Sequence, residues 1–157
     1  MRMLAIYLND HLAGSTVGLE LARRAAGSNR GSGYGQFLDE LADEIRSDRE
    51  SLLEIMRALR VRVDRLKVSA AWAAEKLGRL KLNGRVLGYS PLSRLVELEA
   101  LTLGVSGKLA LWRALDQFEP DRPELSKTML DDLIARAERQ LESLEGHRRN
   151  AVADALA

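Results

Sequence analysis

Apolar residues recur three and four positions apart along most of this chain, and no stretch alternates with the period of two that marks a strand. The spacing predicts helices. The first runs from about Met3 to Ala26, with Leu4, Leu8, Leu12, Leu19 and Ala22 on one stripe, and Gly27 stands where a helix commonly ends. Its middle, Ala13-Gly14-Ser15-Thr16-Val17-Gly18, is built from small side chains. Two glycines inside a helix cost roughly 1 kcal/mol each, and small residues there predict close packing of a neighbouring helix. The second helix runs from about Tyr34 to Leu59 on the stripe Leu38, Leu41, Ile45, Leu52, Ile55, Met56 and Leu59. Acidic residues (Asp39, Glu40, Asp43, Glu44) fill its first turns, and Arg57 and Arg60 stand at its end, which suits the helix dipole.

A different segment follows, from about Arg60 to Tyr89, with a shorter stripe of Leu66, Ala70, Ala73, Leu77 and Leu80 that ends at Asn83-Gly84. Ser90-Pro91 then reads as an N-cap with proline at the first helical position. The stripe behind it is Leu95, Leu98, Val105, Leu109 and Trp112, reaching about Gln117. After Pro120, Asp121 with Glu124 reads as a capping box with Pro123 in the first turn. Leu130, Leu133, Ala137, Leu141, Leu144 and Ala151 carry a last helix to the end. Gly31-Ser32-Gly33-Tyr34-Gly35 follows a helix rather than a strand and lacks the Gly-Lys-Ser/Thr ending of a phosphate loop, so it reads as a flexible connection.

The layout is two long helices with a short loop, a crossover of about 30 residues, and two more long helices with a short loop. Residues 1–157 suit one domain. The absence of cysteine excludes disulfides, thiolate metal sites and cysteine nucleophiles. With 24 basic and 23 acidic residues, the balance argues against a nucleic-acid binder held by bulk charge. No apolar run is long enough for a membrane span, and polar residues come too early for a signal peptide, so a cytoplasmic protein is expected.

This architecture resembles the ferritin-like superfamily, and the resemblance covers nearly the whole chain. It implies an all-α, antiparallel four-helix bundle with a long crossover between helices 2 and 3 carrying a short extra helix. It also implies iron or manganese held by a Glu from one helix and Glu-x-x-His from the other helix of each pair. The sequence departs from that motif. Glu44-Ile45-Arg46-Ser47 has serine where histidine is expected, and neither Glu138-Arg139-Gln140-Leu141 nor Glu142-Ser143-Leu144-Glu145 carries one. Glu20 and Glu99 (or Glu97) are the matching residues on the other two helices.

Asp48 falls between Ile45 and Leu52 on an apolar stripe, where a carboxylate must be paired, protonated or wet. It reads either as an ion pair with an arginine such as Arg148, or as a ligand or base beside Glu44 one turn away. Convergence of Glu20, Glu44, Asp48, Glu99 and Gln140 would mark the remnant of a metal site. His11 and His147 are the only histidines. In a bundle of this topology the first and last helices are expected to run antiparallel, which sets the start of one beside the end of the other and brings the two histidines together, as a two-histidine zinc site would require. Residues 57–85 hold nine basic and two acidic residues, a net +7 against −6 for the rest of the chain. Arg60, Arg62, Arg65, Lys67, Lys76, Arg79 and Lys81 are therefore anion-binding candidates, for nucleic acid or an acidic membrane surface, or for the acidic bundle itself. The expected function is a non-enzymatic binding or interaction protein with no cofactor, able to form a homodimer or to meet another protein partner. The alternatives are a divergent iron- or manganese-dependent oxidase or hydroxylase, and an anion binder acting through the crossover.

Overall fold

The computed structural model describes residues 2–65 and 89–157. Among them the chain forms four long helices and no strand: α1 (Arg2–Ser28), α2 (Gly33–Ala58), α3 (Pro91–Phe118) and α4 (Lys127–Leu156), with a 3₁₀ turn at Glu119–Asp121. Leu8, Leu12, Leu38, Met56, Leu98, Leu101, Trp112, Leu130, Leu133 and Leu144 are fully buried in one continuous core. The predicted stripes therefore face inward together. The short third stripe, from Leu66 to Leu80, lies outside the described residues.

Ends are fixed by caps. Ser32 accepts a bond from Gly35 N (3.2 Å) and opens α2. Ser90 accepts from Ser93 N (3.2 Å), while Ser90 N donates back to the Ser93 hydroxyl, with Pro91 next in line. A capping interaction of this kind is worth about 1 kcal/mol. At the end of α2, Val61 N donates to Met56 O and Arg60 N to Arg57 O, with Arg60 at φ 55°. That is the Schellman arrangement, with an arginine where glycine is usual. Arg57 does lie in the last turn of α2, but no acidic residue lies in its first.

Two predicted boundaries move. α1 continues through Gly27 to Ser28, and the chain turns at Asn29, whose N–H reaches the carbonyls of Ala25 and Ala26, and at Gly31 (φ 79°). α4 starts at Lys127, because Ser126 rather than Asp121 supplies the cap, by accepting from Met129 N (3.3 Å). The glycine-rich connection is a tight, hydrogen-bonded turn rather than a flexible one. A Cβ on Gly35 would stand 2.4 Å from the Asn29 carbonyl oxygen. That atom is backbone and cannot swing away, so Gly35→Ala is expected to cost about 1–3 kcal/mol in urea unfolding. Gly27 has open space where its Cβ would stand, so Gly27→Ala is the control and should gain a few tenths to about 1 kcal/mol.

Side-chain pairs set the directions. Arg24 on α1 meets Glu97 on α3 (3.3 Å), and Tyr34 on α2 donates to Asp154 on α4 (3.0 Å). Neighbouring helices are therefore antiparallel, and α1 packs against α2 and α3 while α4 packs against α3 and α2. α1 and α4 run in the same direction across the diagonal, opposite to the expectation for the first and last helices. The reason is the crossover, which returns the chain to the starting end of α2 before α3 begins. One flank of that link is fastened to α1 and the other to the turn that follows α1. Asn9 donates to Arg62 O (3.0 Å) and accepts from Asp64 N (2.7 Å), and Asn29 donates to the Tyr89 hydroxyl (2.6 Å).

Candidate functional site

The polar centre of the bundle is built on Asp48, which is 2% exposed on the apolar stripe of α2. Lys108 of α3 donates to Asp48 Oδ2 and to Gln140 Oε1. Gln140, buried on α4, donates to Glu44 Oε2 (2.7 Å) and, at 3.3 Å, to Asp48 Oδ2. Arg136 Nε lies 2.8 Å from Asp48 Oδ1, but its N–H is not aimed at that oxygen, so the contact is ionic without a well-formed hydrogen bond. Two carboxylates and two cations thus balance. A buried carboxylate costs several kcal/mol unless it is both paired and hydrogen-bonded, and here one oxygen is hydrogen-bonded while the other relies on charge alone. Burial pulls the Lys108 ammonium below the usual lysine pKa, and the Asp48 charge opposes that shift.

Beside the cluster, a slot of about 280 Å³ opens between α1 and α3. Gly14 and Gly18 line one wall, Gly104 and Gly107 the other, and Ile45, Asp48 and Leu52 of α2 also line it. A Cβ added at any of the four glycines would meet nothing within 4 Å. The small residues of α1 therefore do not bring a helix into close contact, as the sequence suggested. They leave an opening that reaches Asp48. Trp112 also lines the slot; it is 1% exposed, and its indole N–H is buried without a partner.

The structure brings Glu44, Asp48 and Gln140 together but not the other candidates. Arg148, expected opposite Asp48, instead pairs with Glu145 (2.7 Å) and lies 3.8 Å from Glu99. Arg136 precedes Arg148 by twelve residues on α4, or about 18 Å along a helix, so Glu99 and Asp48 occupy different layers. Glu20 lies on α1, four residues before Arg24 of the Arg24–Glu97 pair.

The two histidines do not meet. His11 borders the slot and stands edge-on to Tyr7 at 4.7 Å, where burial lowers its pKa. His147 stacks on Phe37 at 3.8 Å, with Nδ1 2.9 Å from Ser143 O. Phe37 and Asp48 are eleven residues apart on α2, about 16 Å, and the diagonal placement of α1 and α4 separates the histidines further.

The cluster does not fit the dimetal centre that the fold resemblance implies. Both oxygens of Asp48 already face cations, Lys108 and Arg136. Among the described residues no three His, Asp or Glu side chains converge to hold a metal ion. Lys108 and Arg136 are the residues sequence reasoning missed. Lys108 adjoins the stripe residue Leu109, and Arg136 sits one turn before Gln140, but nothing local marks either as Asp48's partner.

Of the anion-binding candidates, Arg60, Arg62 and Arg65 are exposed. Lys67, Lys76, Arg79 and Lys81 lie outside the described residues. Among the described residues no helix is long and apolar enough to cross a membrane. Comparison of the chain with protein-family models, curated proteins and solved structures returns no match.

Proposed function

We propose that the protein is a non-enzymatic binding protein of ferritin-like topology whose site is the slot between α1 and α3, and whose ligand is a small apolar molecule. The topology rests on two antiparallel helix pairs joined by one long crossover. The binding reading rests on the glycine-walled slot, an apolar concavity with a few polar groups at its inner end, which is the usual form of a small-molecule site. Lys108 and Arg136 supply the positive charge that a metal would bring to Asp48. Dioxygen chemistry would need that charge to be redox-active, so binding is favoured over the oxidase or hydroxylase reading.

Titration of the full chain with toluene, followed by amide NMR, tests this. We expect shifts at Gly14, Gly18, Gly104 and Gly107, with a Kd of roughly 0.1–1 mM, equivalent to about 4–5.5 kcal/mol. Gly14→Leu fills the slot from α1, where no atom stands within 4 Å of the added Cβ. It should abolish the shifts while leaving the fold at least as stable, because leucine is the better helix former. Shifts that survive Gly14→Leu, or no shifts up to the solubility of toluene, would refute the slot as a binding site.

A further inference from the structure

α3 carries a second apolar face turned away from its core face, and three of its residues, Ala100, Leu103 and Gly107, also border the slot. Its core face holds Leu98, Leu101, Val105 and Leu109, all buried. On the solvent side Val96, Ala100, Leu103, Gly107, Ala110 and Ala114 follow one another at spacings of four, three, four, three and four. Five of the six are exposed and Gly107 is half-buried, with Leu103 at 75% and Val96 at 55%. Alternation of three and four is the a/d seam of a coiled coil, so α3 presents two opposed apolar stripes separated by polar positions, one packed in its own core and one open to a partner. From Val96 to Ala114 the seam spans eighteen residue steps, about 27 Å.

The pattern also says what covers it. Laid antiparallel against itself, the seam pairs Leu103 with Gly107, Ala100 with Ala110 and Val96 with Ala114, so each larger side chain meets an equal or smaller one and the helices can approach closely. The flanking positions one heptad apart are Glu99, Ser106 and Arg113. In the antiparallel arrangement the same flank of each helix meets, which sets Glu99 of one copy against Arg113 of the other, twice, with Ser106 facing its own counterpart on the twofold axis. Both charged residues are exposed enough to turn outward: Glu99 lies 3.8 Å from Arg148, and Arg113 pairs with Glu138 across the surface. A parallel arrangement would set Glu99 near Gly104 and lose this match.

We propose that a second copy of this chain docks antiparallel on the α3 seam, forming a twofold homodimer. The interface is self-complementary in size and in charge, as an isologous contact requires. Leu103 of each copy then stands over Gly107 of the other, at the edge of the slot, so the partner contributes a side chain to its rim. The inference does not depend on the slot binding a ligand.

The experiment is sedimentation equilibrium of the full chain at several concentrations, with four variants. A dimer is expected for the natural sequence. Leu103→Asp should weaken it by about 100-fold or more, because it puts a charge in the seam. Glu99→Arg and Arg113→Glu should each weaken it by about 3–10-fold, and the double reversal should restore it to within about twofold. Ser106→Cys, in a chain with no other cysteine, should cross-link to itself under mild oxidation. A monomer at every concentration overturns the proposal and leaves another occupant, the chain's own 66–88 segment included, to cover the seam. A dimer that survives Leu103→Asp, or in which Ser106→Cys does not cross-link, also overturns it, by placing the contact on another face.

Discussion

Replacing Asp48 with alanine destabilises the fold by about 3–5 kcal/mol, the usual cost of stranding a buried charge. The change removes the anion that faces Lys108 and Arg136 and leaves both cations crowded at the bundle centre. Exposed Glu44 is the nearby carboxylate that remains, and it is held by Gln140. Urea unfolding followed by far-UV circular dichroism measures the loss. Asp48→Asn keeps the shape and exposes the pH dependence. Because burial lowers the pKa of Lys108 in the folded state, the folded protein holds that proton less tightly than the unfolded chain does. Between the folded value and the ordinary lysine value of 10.5 the unfolded state binds more protons, so stability rises with pH across that window. Asp48 is the main influence holding the pKa up, so removing its charge extends the window downward. Stability gained as the pH rises from neutrality towards the ordinary lysine value of 10.5 should therefore be larger for Asp48→Asn than for the natural protein; equal slopes would mean that Lys108 does not depend on Asp48. Exchanging Asp48, Lys108, Arg136 and Gln140 together for apolar residues of similar volume should be nearly neutral or stabilising. In that case the cluster serves the slot rather than stability.

Trp112→Ala should cost a comparable 3–5 kcal/mol or so. The indole is 1% exposed and packs in the core beside the slot. Removing it joins a new void to an existing opening, and neither can collapse without moving α1 against α3. Trp112→Phe separates packing from polarity. It keeps most of the ring volume and deletes an N–H that has no partner. A buried unpaired donor costs about 1–3 kcal/mol, so the phenylalanine variant should lose far less than the alanine variant, less than about 1.5 kcal/mol. A phenylalanine variant as unstable as alanine would show that the indole N–H has a partner in solution. The enlarged slot of Trp112→Ala should also accept a bulkier apolar probe than toluene, with a rise in melting temperature when the probe binds.

The sequence by itself determined the four long helices and which face of each is buried. The stripes through Leu38, Ile45 and Leu52, or through Leu98, Val105 and Leu109, encode burial directly, because a period of 3.6 residues places them on one side. Ser90-Pro91 was legible for a similar reason, since an N-cap is a local hydrogen bond between residues three apart. Local rules also marked Asp48 as a carboxylate needing a partner. Tertiary structure alone decided the partner. Lys108 and Arg136 reach Asp48 from two other helices, sixty and eighty-eight residues away in the chain, and helical periodicity carries no information about which stripes face one another. The same limit explains the small residues of α1. Gly14 and Gly18 predict close packing when read alone. Only the position of α3, with Gly104 and Gly107 opposite, turns them into the walls of an opening. It explains the histidines as well: the direction in which α4 runs is set by how the crossover returns the chain, a property of the whole topology that no residue near His11 or His147 records.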